Sequence, residues 1–159
     1  MVMKIEMQAV SRRDMLKLSG AGAAAFVATS LMPGLAEASV EETAAAISKI
    51  TGGKKASSGK ITLELPQIAE NGNTVPVGFS VDSPMTADNY VKSVTVFAEK
   101  NPSPEVAAFR LSPANGKAKI STRMRLARTQ NVIAVAEMSD GGIYMAKTEV
   151  KVTIGGCGG

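Results

Sequence analysis

Between residues 60 and 154, apolar and polar side chains alternate with period two. Turn signals interrupt the alternation about every 8 to 12 residues, the rhythm of short antiparallel strands that each bury one face. Ile61, Leu63 and Leu65 oppose Thr62 and Glu64, and Asn71-Gly72 separates this segment from residues 75–81. A Ser83-Pro84 loop leads to residues 90–99, where Val94, Val96 and Ala98 alternate with Ser93, Thr95 and Phe97. Pro102 and Pro104 break the chain before residues 106–111. Asn115-Gly116 reads as a hairpin turn into a strand with Ala118, Ile120, Thr122, Met124 and Leu126 on one face and Lys119, Ser121, Arg123 and Arg125 on the other. Residues 132–138 turn at Asp140-Gly141 into the longest alternation, which sets Tyr144, Ala146, Thr148, Val150, Val152 and Ile154 against Lys147, Glu149, Lys151 and Thr153. The expected fold is mainly β, an immunoglobulin-like antiparallel sandwich of about seven strands. The disulfide and core tryptophan of antibody domains are absent, so only the architecture is implied.

The segment before this region has a different composition. Ser11-Arg12-Arg13-Asp14-Met15-Leu16-Lys17 precedes an Ala/Gly-rich, weakly apolar run to Leu35 and then Ala36-Glu37-Ala38. A basic stretch, an apolar stretch and an A-x-A site form a twin-arginine export signal, with Arg12 and Arg13 as the recognition pair and Ala36 and Ala38 as the alanines of the cleavage site. Met15 stands where that pattern usually has phenylalanine, one large apolar side chain for another. The alternative is a retained membrane helix. Gly20, Gly22, Ser30, Pro33 and Gly34 dilute the run and its length is marginal for a span, so no stable membrane anchor is expected. Residues 1–38 are therefore set apart as a cleaved signal, and the address is the periplasm. This route moves folded proteins, which calls for either a cofactor loaded beforehand or a partner exported together with the chain. The sequence has no histidine, no cysteine cluster, no dinucleotide or phosphate-binding glycine motif, and hence no metal or cofactor site, which favours a partner.

About 120 residues then remain, enough for one core and too few for two. Ser39-Val40-Glu41-Glu42 opens them with a capping pattern, followed by helix-forming alanines and a stop at Gly52-Gly53. The spacing predicts one short N-terminal helix with Val40, Ala44, Ile47 and Ile50 on its packed face, and then a mobile linker over residues 54–60. With the signal removed, 14 basic and 11 acidic side chains give a net charge of about +3, too modest for nucleic acid. Lys117, Lys119, Arg123, Arg125 and Arg128 form a basic stretch that is either a solvated strand face or a docking surface for an acidic partner. Met124, Met138 and Met145 are candidates for an apolar partner contact.

The lone cysteine stands in Gly155-Gly156-Cys157-Gly158-Gly159. Four glycines around one sulfur make a flexible, narrow arm that exposes the thiol, and a strand ending at Ile154 would let it project roughly 10 Å beyond residues 39–154 at about 3.3 Å per residue. A buried structural cysteine does not fit, because nothing in the tail can bury with it. An incidental thiol or a disulfide-linked dimer stays open. Cysteine catalysis needs a base or cation held beside the sulfur and an oriented substrate, and the tail offers neither. A thiol redox enzyme would also need a resolving thiol or a low-pKa site. Cys157 is instead suited to hold a group covalently while Gly155, Gly156, Gly158 and Gly159 let it enter other active sites. An extracytoplasmic immunoglobulin-like interaction subunit with an incidental thiol is the alternative.

The twin-arginine segment and the terminal GGCGG, on a β-rich domain of this size, resemble the SoxY family of sulfur carriers from the bacterial thiosulfate-oxidising (Sox) system. The resemblance implies a carrier without enzymatic activity of its own. It further implies that a c-type cytochrome joins thiosulfate to Cys157 as an S-thiosulfonate, and that a hydrolase releases sulfate and leaves a persulfide. A sulfane dehydrogenase oxidises that sulfur in some members. The implied stable partner is a small β-sandwich subunit, SoxZ, forming a heterodimer and exported with the carrier.

Overall fold

A computed structural model describes residues 40–153. The expected export signal with Arg12, Arg13, Ala36 and Ala38, the strand-end candidate Ile154, and the tail with Gly155, Gly156, Cys157, Gly158 and Gly159 lie outside these residues.

Helix α1 (Val40–Thr51) is followed by eight strands: β1 (Ile61–Glu64), β2 (Ile68–Ala69), β3 (Val75–Val81), β4 (Val91–Ala98), β5 (Glu105–Arg110), β6 (Ala118–Met124), β7 (Gln130–Met138) and β8 (Ile143–Val152). They form a three-stranded sheet, β1-β3-β6, and a five-stranded sheet, β2-β8-β7-β4-β5. Between the sheets lies a core of Val75, Val77, Phe79 and Val81 from β3, Val94, Val96 and Ala98 from β4, and Val132, Ala134 and Ala136 from β7. This is the sandwich that the alternation predicts, because one residue in two on each facing strand points inward and is apolar.

Four features depart from the sequence reading. First, β2 is an additional strand and pairs parallel to β8, with Ile68 opposite Lys151 and Ala69 opposite Val152, so the sandwich is antiparallel except along this edge. Second, Asn115-Gly116 does not close a hairpin. A 3-10 turn at Pro113–Asn115, ended by Gly116 at φ 69°, carries the chain from β5 in one sheet to β6 in the other. Gly116 is needed there because other residues rarely adopt that left-handed conformation. The hairpin at Asp140-Gly141 does form, with Gly141 at φ 80° and the Gly142 N–H donating to Asp140 Oδ1 at 2.8 Å.

Third, the second face of β4 and β7 is not solvated. Phe97, Ile133, Val135 and Ile143 make a smaller core against Ala46 and Ile47 of α1, with Ala56 and Met145. The buried stripe of α1 therefore runs through Thr43, Ala46, Ile47 and Thr51, whereas Val40, Ala44 and Ile50 are exposed. Fourth, residues 54–60 are anchored. Ser57 forms a parallel bridge with Tyr144, donating its N–H to the Ile143 carbonyl and accepting from the Met145 N–H, both at 2.9 Å. Met124 and Met138 belong to the main core and Met145 packs on the smaller one, which leaves the first two no part in an outer contact.

Candidate functional site

The residues that carry the tail chemistry lie outside the described part, so the site is built from the place where the tail begins. β8 ends at Val152, and the chain leaves from Thr153. This is the same end of the sandwich at which β4 and β6 end and β3, β5 and β7 begin, since Gln130 pairs with Val150, Ala98 with Val132 and Met124 with Val75.

Backbone and side-chain bonds fix that exit on two sides. Along the β2 edge, the Lys151 N–H donates to the Gln67 carbonyl at 3.0 Å and the Thr153 N–H to the Ala69 carbonyl at 3.1 Å. On the β7 side, the Val152 N–H donates to Thr129 Oγ1 at 2.9 Å. The extra two-residue strand thus places a partner beside the last residues of β8, which would otherwise form a bare sheet edge there.

A buried polar cluster holds the loops around the exit. Gln130, 1% exposed, accepts from the Lys100 N–H at 2.7 Å through Oε1, while its Nε2 donates to Asn101 Oδ1 at 2.9 Å and the Arg128 carbonyl at 3.1 Å. Asn101 accepts the Ala127 N–H at 3.0 Å and donates to the Arg125 carbonyl at 2.8 Å. Two amides thereby satisfy loop backbone that no strand can reach, as buried polar groups require. Nothing in the alternation distinguished Asn101 or Gln130. Their cue is an amide at a strand boundary beside turn-forming residues.

The basic stretch divides in the fold. Lys119 faces out from β6 and pairs with Glu64 at 3.1 Å, Arg123 reaches Thr74 Oγ1 at 3.5 Å, and Arg125 and Arg128 stand exposed in the loop next to the exit. Lys100, from the β4–β5 loop, and Lys151 on β8 add two more exposed cations at the same end. Glu99, by contrast, is turned onto the outer face of the five-stranded sheet, where it accepts from Lys147 Nζ at 2.6 Å and Asn131 Nδ2 at 2.7 Å. Burial by itself would raise its pKa, but those two hydrogen bonds, with the charges of Lys147 and Lys100, hold the carboxyl below its ordinary value.

A groove of about 410 Å³ lies between α1 and the sheet, lined by Val40, Ala44, Ile47, Ile133 and Met145, with Glu99 and Lys147 also on its wall. Among the described residues no cluster of His, Cys, Asp and Glu could hold a metal ion, and no helix is long and apolar enough to cross a membrane.

Residues 47–157 match the family described as sulfur oxidation protein SoxY. The fold is similar to the sulfur carrier protein SoxY from Chlorobium limicola f thiosulfatophilum, at 35% identity and a TM-score of 0.62, over 73% of this chain and 100% of that one. It is also similar to the superoxide reductase (neelaredoxin) of Ignicoccus hospitalis, at 17% identity and a TM-score of 0.53, over 59% of this chain and 80% of that one, a likeness of fold alone. No curated protein sequence matches the chain.

Proposed function

This chain belongs to the SoxY family, and from that premise we propose that it is a covalent sulfur carrier of a Sox-type thiosulfate-oxidising system, with Cys157 as the attachment point. The observation that supports this most directly is the pairing of a firmly held β8 exit with a terminal GGCGG that carries the chain's one cysteine. The division of the chain follows: residues 1–38 are a twin-arginine signal removed on export to the periplasm, residues 39–154 the carrier domain, and residues 155–159 the arm.

In the loading step the Cys157 thiol gives up its proton as the sulfane sulfur of thiosulfate bonds to Sγ. Two electrons pass to a c-type cytochrome, and the product is a cysteine S-thiosulfonate. Water then cleaves the S–SO3 bond on a partner hydrolase, sulfate leaves, and a persulfide stays on the arm. The carrier's own contribution is presentation. Gly155, Gly156, Gly158 and Gly159 keep the arm thin enough to enter an active site, and tethering replaces a free reactive intermediate by one held at high local concentration. A small β-sandwich SoxZ-type subunit completes a heterodimer.

The test is the intact mass of the mature protein from cells grown with and without thiosulfate, before and after a reductant. A reducible sulfur or thiosulfonate adduct on Cys157 that depends on thiosulfate is the expected result, absent in Cys157→Ser. A thiol unmodified under all conditions would overturn the carrier reading and leave an interaction subunit.

A further inference from the structure

The geometry points to the β8 exit face as the surface on which an acidic partner protein docks while the arm is in its active site. This rests on the carrier reading and adds to it a surface and a class of partner.

Two independent features meet at this end. The first is charge. Lys100, Arg125, Arg128 and Lys151 are exposed there, with Arg123 at the adjoining end of β6. The exposed acidic residues at this end are Glu70, Glu105 at the start of β5 and Glu149 on β8, fewer than the five cations, while Glu99 is buried against Lys147 with its side chain 5% exposed. The second is Ile68 on β2. It is 56% exposed, opposite Lys151 in the parallel pair, and thus a large apolar side chain beside the arm's point of departure. An apolar contact within a cationic rim is the anatomy of a protein interface. The cations are spread over separate loops, so they create a broad field for a complementary acidic surface, not a cradle for one small anion. The Gln130–Asn101 cluster holds these loops in register, so the pattern is presented as a unit.

The position constrains the partner further. A thiol four residues beyond Thr153 reaches at most about 13 Å from it, so it enters an active site only if the enzyme's mouth comes against that end face. The acidic surface must therefore surround the mouth.

The experiment compares two routes of loading Cys157 in the mature heterodimer across ionic strengths from about 20 to 300 mM. One is thiosulfate loading by the thiosulfate-coupling cytochrome. The other is tetrathionate alone, where the Cys157 thiolate attacks an inner sulfur, forms the same S-thiosulfonate and expels thiosulfate, with no oxidant needed. The variants are Lys100→Glu/Lys151→Glu and Ile68→Ser, all at exposed positions. In the wild type, the enzymatic second-order rate should fall with salt. In the double variant it should drop by about 10-fold or more at low salt, as expected for steered association, with a far smaller change in the tetrathionate rate. Ile68→Ser should lower the enzymatic rate by a factor that salt does not alter. An equal loss by both routes in the double variant would show that the cations act on small anions, overturning the docking face. Enzymatic rates insensitive to salt and to all three substitutions would overturn it as well. Tetrathionate loading without any enzymatic loading of the wild type would remove the carrier reading and the docking face together.

Discussion

Replacing Gln130 by methionine isolates the polar contribution at the arm's origin, since the two side chains have similar length and volume and the site is closed, with Gln130 1% exposed. The substitution removes three hydrogen bonds, one accepted from the Lys100 N–H and two donated to Asn101 Oδ1 and the Arg128 carbonyl. Asn101 Oδ1 keeps the Ala127 N–H, so the bonds lost outright are those to the Lys100 N–H and the Arg128 carbonyl. At about 1 kcal/mol per bond, with a larger penalty where a buried group is orphaned, Gln130→Met should destabilise the domain by about 3 kcal/mol. For a domain of this size that is a fall of about 10 °C in Tm. Urea unfolding followed by far-UV circular dichroism measures it, because the chain has no tryptophan. The exposed Gln67→Met is the control, expected within about 0.5 kcal/mol of wild type. Hydrogen exchange should locate the effect, with faster exchange at Lys100, Ala127 and Val152 and little change in the centre of β3. A loss below about 1 kcal/mol, or exchange that quickens evenly over the whole sandwich, would refute the idea that this cluster holds the exit loops.

Gly156→Val and Gly158→Val should leave Tm unchanged while slowing enzymatic loading of Cys157 by about 10-fold or more, the scale on which misplacement at a reacting centre acts; processing at the wild-type rate would remove the narrow-arm argument. Glu99 has a carboxyl held below its ordinary value of 4.5, so its ionised form supports the fold above that pH and the support is lost as pH falls through the lower, folded-state value. Thermal melts from pH 6 to pH 3 should therefore show a shallower acid loss in Glu99→Gln than in the wild type, and parallel curves would refute the assignment. Thr43 is 1% exposed and, among the described residues, its Oγ1 is the buried side-chain oxygen without a hydrogen-bond partner. Thr43→Val keeps the shape and removes the unpaired hydroxyl, so it should raise stability by about 1 kcal/mol in the same unfolding assay, whereas a loss would indicate a bond to that oxygen.

The strands were legible wherever one face meets the core and the other meets water. β3, β6 and β8 fall where the alternation of residues 75–81, 118–126 and 144–154 places them, because period two is a direct record of one-sided burial. The reading failed where burial had a second cause. The alternation sets Phe97 with Ser93 and Thr95, opposite Val94, Val96 and Ala98, but α1 covers that face and Phe97 is fully buried. Thr43 and Thr51 took the buried positions on the helix in place of Val40, Ala44 and Ile50, since the sheet decides which side it accepts. β2 was invisible, for two residues cannot show a period and its role is to offer backbone to β8. Asn115-Gly116 has the composition of a hairpin turn, and only the division into two sheets determines that the chain crosses over there. At the candidate site, the Gly-Cys tail was plain in the sequence. The cluster that holds its origin was not, because Gln130 and Asn101 are 29 positions apart and meet only once the sandwich has formed.

What a tethered thiol can reach depends on its origin as much as on its length. If β8 frayed by a few residues, the arm would lengthen by as many, and the concentration it delivers to a partner's active site would fall roughly as the −3/2 power of tether length. Doubling the four-residue tether from Thr153 to Cys157 thus lowers that concentration by about 3-fold. It also lets the thiol sweep back over the carrier's own surface. The bonds at the exit resist this. Thr153 is held to Ala69, Lys151 to Gln67 and Val152 to Thr129, so the last residues of β8 have partners on both sides. Glycines confer no preferred direction, so the direction of the arm has to come from the strand that emits it. The short parallel strand β2 contributes little to the core, with Ile68 exposed, yet it supplies that restraint. On the proposed carrier function β2 serves to aim the arm, and substitutions that weaken the β2–β8 pair should then alter loading kinetics more than they alter Tm.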